Sequence, residues 1–183
     1  STGRERHTHA RPDNLGYPAR AIRTADYLYV RNFMPDRWPA GDPTPKRSKE
    51  YLKPKGFKSI EPGFNDVDNS PTKSFLIDQE KAYLKEYDLA YSKRSFEQLY
   101  DIKIDPGCIN NIADEVSYKM IKKELSSKLE ELLKAQGDPR VLGYGDIFDS
   151  YPRISSMRDF SGFHERGEYN PEYLQEGQEK IKN

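Results

Sequence analysis

The sequence predicts an α+β fold: a small antiparallel β-sheet of three to four strands packed against a long C-terminal helix, with long irregular loops and tail. Three observations carry that prediction. Residues 17–33 alternate polar and apolar side chains in two arms joined by a short turn. Residues 96–104 form another strand-like run that stops at Asp105-Pro106-Gly107. Residues 115–134 repeat apolar side chains at helical spacing.

Taken in order, residues 3–11 are too polar to form a core strand alone, though they can extend a sheet edge. In the hairpin, Leu28 and Val30 face one side, while Tyr27, Tyr29 and Arg31 face the other. Its Ala25-Asp26 turn lacks the glycine favoured in two-residue hairpins, which leaves room for a longer loop. Residues 34–69 form an excursion rich in proline and glycine, long enough to be functional or draped over another domain. Within it Trp38 reads as a packing anchor. Ser70-Pro71 supplies an N-cap and a first-turn proline for a helix to about Glu80, continuing or restarting through Tyr83 to Tyr91.

The helix at 115–134 is the clearest element. Val116, Met120, Ile121, Leu125, Leu129, Leu132 and Leu133 make its apolar positions, and Gly137 with Pro139 ends it. Beyond it, aromatic residues are scattered among glycines, prolines and charges without periodicity. The expected organisation is therefore a domain at 1–152, containing the irregular excursion 34–69, followed by an extended aromatic and charged tail at 153–183.

Composition narrows the function classes. The 183 residues are 34% hydrophobic and 33% charged, with a mean hydropathy of −0.99, against roughly 45–50% apolar residues in ordinary soluble domains. Thirteen tyrosines add area that can be buried with the hydroxyl kept polar. Such a chain suits a module that leans on a partner surface. The 30 basic and 30 acidic residues cancel, so no overall field draws it to nucleic acid. No apolar run approaches the ~20 residues of a membrane span. The single cysteine, Cys108, excludes an intrachain disulfide and a cysteine-built zinc site. The opening Ser1-Thr2-Gly3-Arg4 reads as an internal cut point or a processed end.

No catalytic residue is expected in the chain, and no metal site. Cys108 follows a turn glycine with neither a local histidine nor a nucleophile elbow. His7-Thr8-His9 with Glu5 has two imidazoles and a carboxylate, but no zinc-binding motif around them. Asp146 and Asp149 read as capping or solvated loop charges. Residues 4–11 have two readings, an exposed charged edge strand or an anion-recognition arm. Arginine forks match the oxygens of sulfate or carboxylate, and a histidine adds a directed donor.

The stretch Leu99-Tyr100-Asp101-Ile102-Lys103-Ile104-Asp105-Pro106-Gly107-Cys108-Ile109-Asn110-Asn111-Ile112-Ala113 resembles the L-Y-D-x-x-x-D-P-x-E-x-x-N-L-A signature near the C-terminus of type I sulfatases. The resemblance is to the N-sulfoglucosamine sulfohydrolase-like, bacterial heparan and glycosaminoglycan sulfatase branch. Cys108 stands where that family usually carries glutamate, and Ile112 where it carries leucine. A second block, Tyr17-Pro18-Ala19-Arg20-Ala21-Ile22-Arg23-Thr24 with the strand after it, resembles the family's Y-P-x-R-A-I-R-T segment. Asp138-Pro139-Arg140 and Tyr151-Pro152 add to it.

This resemblance implies the C-terminal subdomain of a sulfatase, inactive alone and docked on its own upstream catalytic domain. That domain would carry the calcium ion and the formylglycine made from a C-x-P-S-R motif, neither of which is expected here. The substrate implied is a sulfated saccharide, as ester or N-sulfate, and the compartment is periplasmic or extracellular. The family's loop before the Y-P-x-R block approaches substrate. By position, Arg6, His7, His9 and Arg11 are the expected substrate contacts. An independent carbohydrate-binding or interaction module of the same architecture is the competing reading.

Overall fold

Residues 1–7, 10–11, 15–43, 46–47, 60–61 and 63–150 are described by a computed structural model. The expectations for His9 and for the tail at 153–183 lie outside these residues.

Alternation in the first hydrophobic block produces strands β2 (Ala19–Arg23) and β3 (Tyr27–Asn32), paired antiparallel with Ile22 opposite Tyr29. Thr24 closes the turn that lacks glycine. Its amide donates to Tyr27 O at 2.9 Å, and its hydroxyl accepts from the Asp26 and Tyr27 amides at 3.2 and 3.0 Å. The polar N-terminal segment does extend an edge: β1 (Thr2–Arg4) pairs with β2, Gly3 opposite Arg20. A two-residue ribbon, β4 (Lys46–Arg47) with β5 (Ile60–Glu61), stands apart from this sheet. Strand β6 (Glu97–Asp101) joins the other side of β3, with Leu99 opposite Tyr29, so the antiparallel sheet runs β1-β2-β3-β6.

The helices are α1 (Pro71–Asp78), α2 (Leu84–Tyr91), α3 (Lys119–Ala135), α4 (Pro139–Leu142) and α5 (Ile147–Ser150). Ser70 caps α1, its hydroxyl accepting from the Lys73 amide at 3.1 Å. Helix α3 lies on the sheet face that carries Tyr29. Ile22, Tyr29, Leu99, Leu125, Leu129 and Leu133 form its buried core, and Tyr29, Leu99 and Leu129 have no exposed surface. A second cluster joins Ala40, Phe64 and Tyr91, with the Phe64 and Tyr91 rings stacked at 4.7 Å. Trp38 packs edge-on against Phe64 at 6.0 Å, as an anchor should.

Two expectations are corrected. The strand expected to reach Ile104 ends at Asp101, because the Asp101 carboxylate accepts from the Lys103 and Ile104 amides and turns the chain. Ile104 is left 77% exposed. The apolar stripe of the long helix is also narrower than its spacing suggested. A 3₁₀ turn, Val116–Tyr118, precedes α3, and Val116 and Met120 are 89% and 74% exposed. At 3.6 residues per turn Met120 lies about 140° around the helix from Leu125, so it faces away from the sheet.

The Asp105-Pro106-Gly107 turn leads into a joint held by one amide side chain. Asn111 Oδ1 accepts from the Leu99 amide at 2.9 Å and the Ala113 amide at 3.1 Å. Ile112 also donates from its backbone to Leu99 O at 2.9 Å. Strand β6 is thereby pinned to the approach of α3.

Candidate functional site

The end of β1 feeds two ion networks from consecutive residues. Glu5 turns toward β2 and the far end of the chain. Its Oε1 accepts from Arg20 Nη2 at 2.6 Å and its Oε2 from Arg140 Nη2 at 2.7 Å. Arg20 also donates through Nε to Asp138 Oδ2 at 2.5 Å. Asp138 in turn caps α4 by accepting from the Arg140 amide. Both guanidiniums lie over the Phe148 ring, at 5.8 and 5.4 Å.

Arg4 turns the opposite way, to Asp66. The Asp66 side chain is 1% exposed and takes three donors: Arg4 Nη2 at 2.5 Å, Arg11 Nη2 at 2.6 Å and His7 Nδ1 at 2.8 Å. Burial pushes the Asp66 carboxyl up. The hydrogen bonds from Arg11 and His7, with the charges of Arg11 and Arg4, outweigh that and hold it below the usual carboxylate range.

Backbone geometry places Asp66 there. Its amide donates to Ala40 O at 3.0 Å, and the Asp42 amide donates to Ala10 O at 2.8 Å, so residues 40–42 lie between the N-terminal arm and residues 64–66. Gly41 has φ +98°, and a Cβ there would meet the Ala10 Cβ at 2.9 Å; only glycine fits that crossing. Lys73, 2% exposed, clamps the following loop by donating to Phe64 O, Val67 O and Asn69 Oδ1 at 3.0, 2.8 and 3.1 Å.

Beside Asp66 opens a cavity of about 330 Å³, whose wall includes Arg4, Tyr17, Asn32, Asp66, Arg94 and Gln98. Asn32 Nδ2 donates to Gln98 Oε1 at 3.0 Å, which stiffens the sheet side of the wall. Arg94 is held against the end of α2, donating to Asp88 O and Leu89 O at 2.7 and 2.5 Å.

Of the expected substrate contacts, Arg6 and His7 lie on the same turn of chain. Arg6 is half-buried, and the His7 side chain is 66% exposed with Nδ1 on Asp66. Burial lowers the Arg6 pKa, opposed by the charge of Asp149. Arg11 is inside, 3% exposed, donating through Nε to Trp38 O and through Nη2 to Pro39 O and Asp66. Asp149, read from sequence as a capping or solvated charge, pairs with Arg37 at 3.2 Å and accepts from the Gly16 amide. Asp66, Tyr17 and Arg94 were not signalled. Asp66 sits in the proline-rich excursion with no motif around it, and only folding brings it to residues 4–11.

Cys108 is a free thiol with φ +52°, pushed to a higher pKa by burial and by Asp105. Among the described residues, no three histidine, cysteine or acidic side chains are placed to hold a metal ion. None of the described helices is long and apolar enough to cross a membrane.

An α+β sheet-and-helix module, with a cationic arm folded back over a buried aspartate, is what the fold and site define. Over 122 residues, 67% of the chain, the sequence is 32% identical to an ulvan-active sulfatase of Formosa agariphila. The chain is sulfatase-related over that stretch. It covers 18% of the length of that relative. No protein-family profile matches the chain.

Proposed function

We propose that the chain is the C-terminal subdomain of a sulfatase, completing an upstream catalytic domain rather than performing chemistry itself. The observation that carries this reading is the sequence relationship to a sulfatase across a stretch that is 18% of that protein's length. The geometry supports it: Arg4, Glu5, Arg11, Arg20, Asp66, Asp138 and Arg140 are paired in ion networks beside β1 and β2. The upstream domain would supply formylglycine and calcium, and the whole protein would be exported to the periplasm or beyond the cell.

The substrate class proposed is a sulfated polysaccharide. A glycosaminoglycan with ester or N-sulfate is the substrate implied by the motif wording, and ulvan is the substrate named for the relative. The arm at residues 4–11 is proposed to touch it. His7 is exposed on that arm, Arg6 is half-buried in it, and His9 falls within it. Arg11 serves by holding the arm through Asp66.

The test is made on the full-length protein. It should carry a C-x-P-S-R-like motif upstream and release sulfate from ulvan or heparan oligosaccharides. Arg6→Ala and His7→Ala should each lower kcat/KM on oligosaccharide roughly tenfold, the scale of one lost charged hydrogen bond. Activity on a small aryl sulfate should stay. An upstream sequence without the motif removes the reading, and unchanged kcat/KM removes the role of the arm.

A further inference from the structure

We propose that the face of the sheet turned away from α3, centred on Leu28 and Val30, is the surface on which the upstream catalytic domain packs. This contact rests on the sulfatase reading and adds to it the side chains that meet.

Burial alternates along the inner strands. On the α3 face Ile22, Tyr29 and Leu99 are buried, as are Arg20 and Arg31. Between them, Ala21, Leu28 and Val30 are only partly buried. Among the described residues, neither core cluster includes these three. Register makes them neighbours: Ala21 pairs with Val30, and Leu28 stands between Arg23 and Tyr100. Because β3 is an inner strand, the exposure lies at the middle of the face and not at an edge.

An antiparallel sheet that leaves one face to water carries polar side chains there. The middle of this face is alanine, leucine and valine instead. An apolar patch inside a polar rim marks a contact surface. The chain's own elements reach one end of it, where Asn32, 2% exposed, shares the cavity wall with Asp66 and with Ala90 of α2. At the other end Arg23 is exposed. Cys108 is close by: the charge of Arg23 acts on its thiol, and the thiol acts on the Tyr100 phenol. The same turn leaves Ile104 and Ile109 77% and 45% exposed.

Size and chemistry select the occupant. The chain spans 18% of the length of its relative, so the sulfatase reading places a larger body beside it. The surface that mates with this face is apolar, with a carboxylate set opposite Arg23.

The experiment compares the full-length protein with the separate 183-residue chain. Two thiols are alkylated with N-ethylmaleimide at pH 8 and read by peptide mass: native Cys108 at the rim, and Val30→Cys at the centre. Folding is followed by circular dichroism. Both thiols should react in the separate chain and at least roughly tenfold more slowly in the full-length protein, the factor set by about 1.4 kcal/mol of opening. Leu28→Lys combined with Val30→Lys puts two charges into the face, and should return Cys108 of the full-length protein to within about threefold of its rate in the separate chain. Met120→Lys, on the far side of α3, should leave the protection unchanged. Equal rates in chain and full-length protein overturn the proposal, and leave sulfate release and the sulfatase reading untouched. Protection that appears in the separate chain and grows with its concentration also overturns it, since a second copy then covers the face. An upstream region without the C-x-P-S-R-like motif removes the sulfatase reading, whatever the thiol rates.

Discussion

Arg20 and Asp138 meet at 2.5 Å across 118 positions of sequence, and each belongs to a different segment of the motif wording. The arginine of the Tyr17–Thr24 block is the counter-ion of the aspartate that opens Asp138-Pro139-Arg140. Glu5 completes the arrangement from β1, so one guanidinium joins the start, the hairpin and the end of the described fold. Replacing Arg20 by Met removes the charge from between two largely buried carboxylates. The loss expected is about 3–5 kcal/mol, as for breaking one side of a buried ion pair, read as a lowered urea midpoint. Arg20→Lys should recover only part of it, because a single ammonium cannot reproduce the fork.

Asp66→Asn removes the negative charge that holds Arg4, Arg11 and His7. The buried Arg11 guanidinium is then left without its counter-charge. Stability should fall by about 3 kcal/mol or more, and amide exchange in residues 2–7 should quicken.

The same carboxylate sets an acid dependence. The folded-state pKa of Asp66 lies below its ordinary value, so its contribution is complete above the unfolded pKa of about 4. It is lost as pH falls from there through the folded pKa. Between neutral pH and pH 5 the Asp66 contribution should be flat. Below about pH 4 the wild-type chain should lose stability more steeply than Asp66→Asn, in urea titrations at a series of pH values.

Cys108 occupies a left-handed backbone position, φ +52°, in the turn after β6. A side chain there costs about 1 kcal/mol, which glycine avoids because it has no Cβ, offset in part by the greater conformational entropy glycine loses on folding. Cys108→Gly should therefore raise stability by about 0.5–1 kcal/mol. Because burial and Asp105 push the thiol upward, its reaction with a disulfide reagent at pH 7 should be slower than that of free cysteine.

Helix α3 separates two residues that its sequence spacing treats alike. Leu129→Ala opens a cavity under a fully buried side chain and should cost about 2–5 kcal/mol. Met120→Ala alters a side chain that is 74% exposed and should change stability by less than about 0.5 kcal/mol. Equal effects would place α3 in a different rotation on the sheet.

The sheet and its helices were legible because they follow local rules. The two-residue period from Ala19 to Asn32, the Ser70-Pro71 cap and the leucine repeat of α3 each declare their element within a few positions. The strand end at Asp101 was not legible, since Ile102 and Ile104 continue the apolar pattern and only the Asp101 side chain, bonded to two following amides, turns the chain away. Of the site, residues 4–11 stood out by charge. Their partners did not. Asp66 is 55 positions from Arg11, Tyr17 reads locally as a strand residue, and Arg94 falls between the second helix and the third strand with no motif around it. Contacts of that kind have no signature in a single sequence.

Where a shortened gene may begin is decided at Arg4 and Glu5. A version starting at residue 12 would keep the hairpin, β6 and every described helix, and would lose only the three-residue β1 from the sheet. It would also strip Asp66 of Arg4, His7 and Arg11, and Arg20 and Arg140 of Glu5, in one cut. For this fold, the safe boundary for expression lies upstream of the first strand.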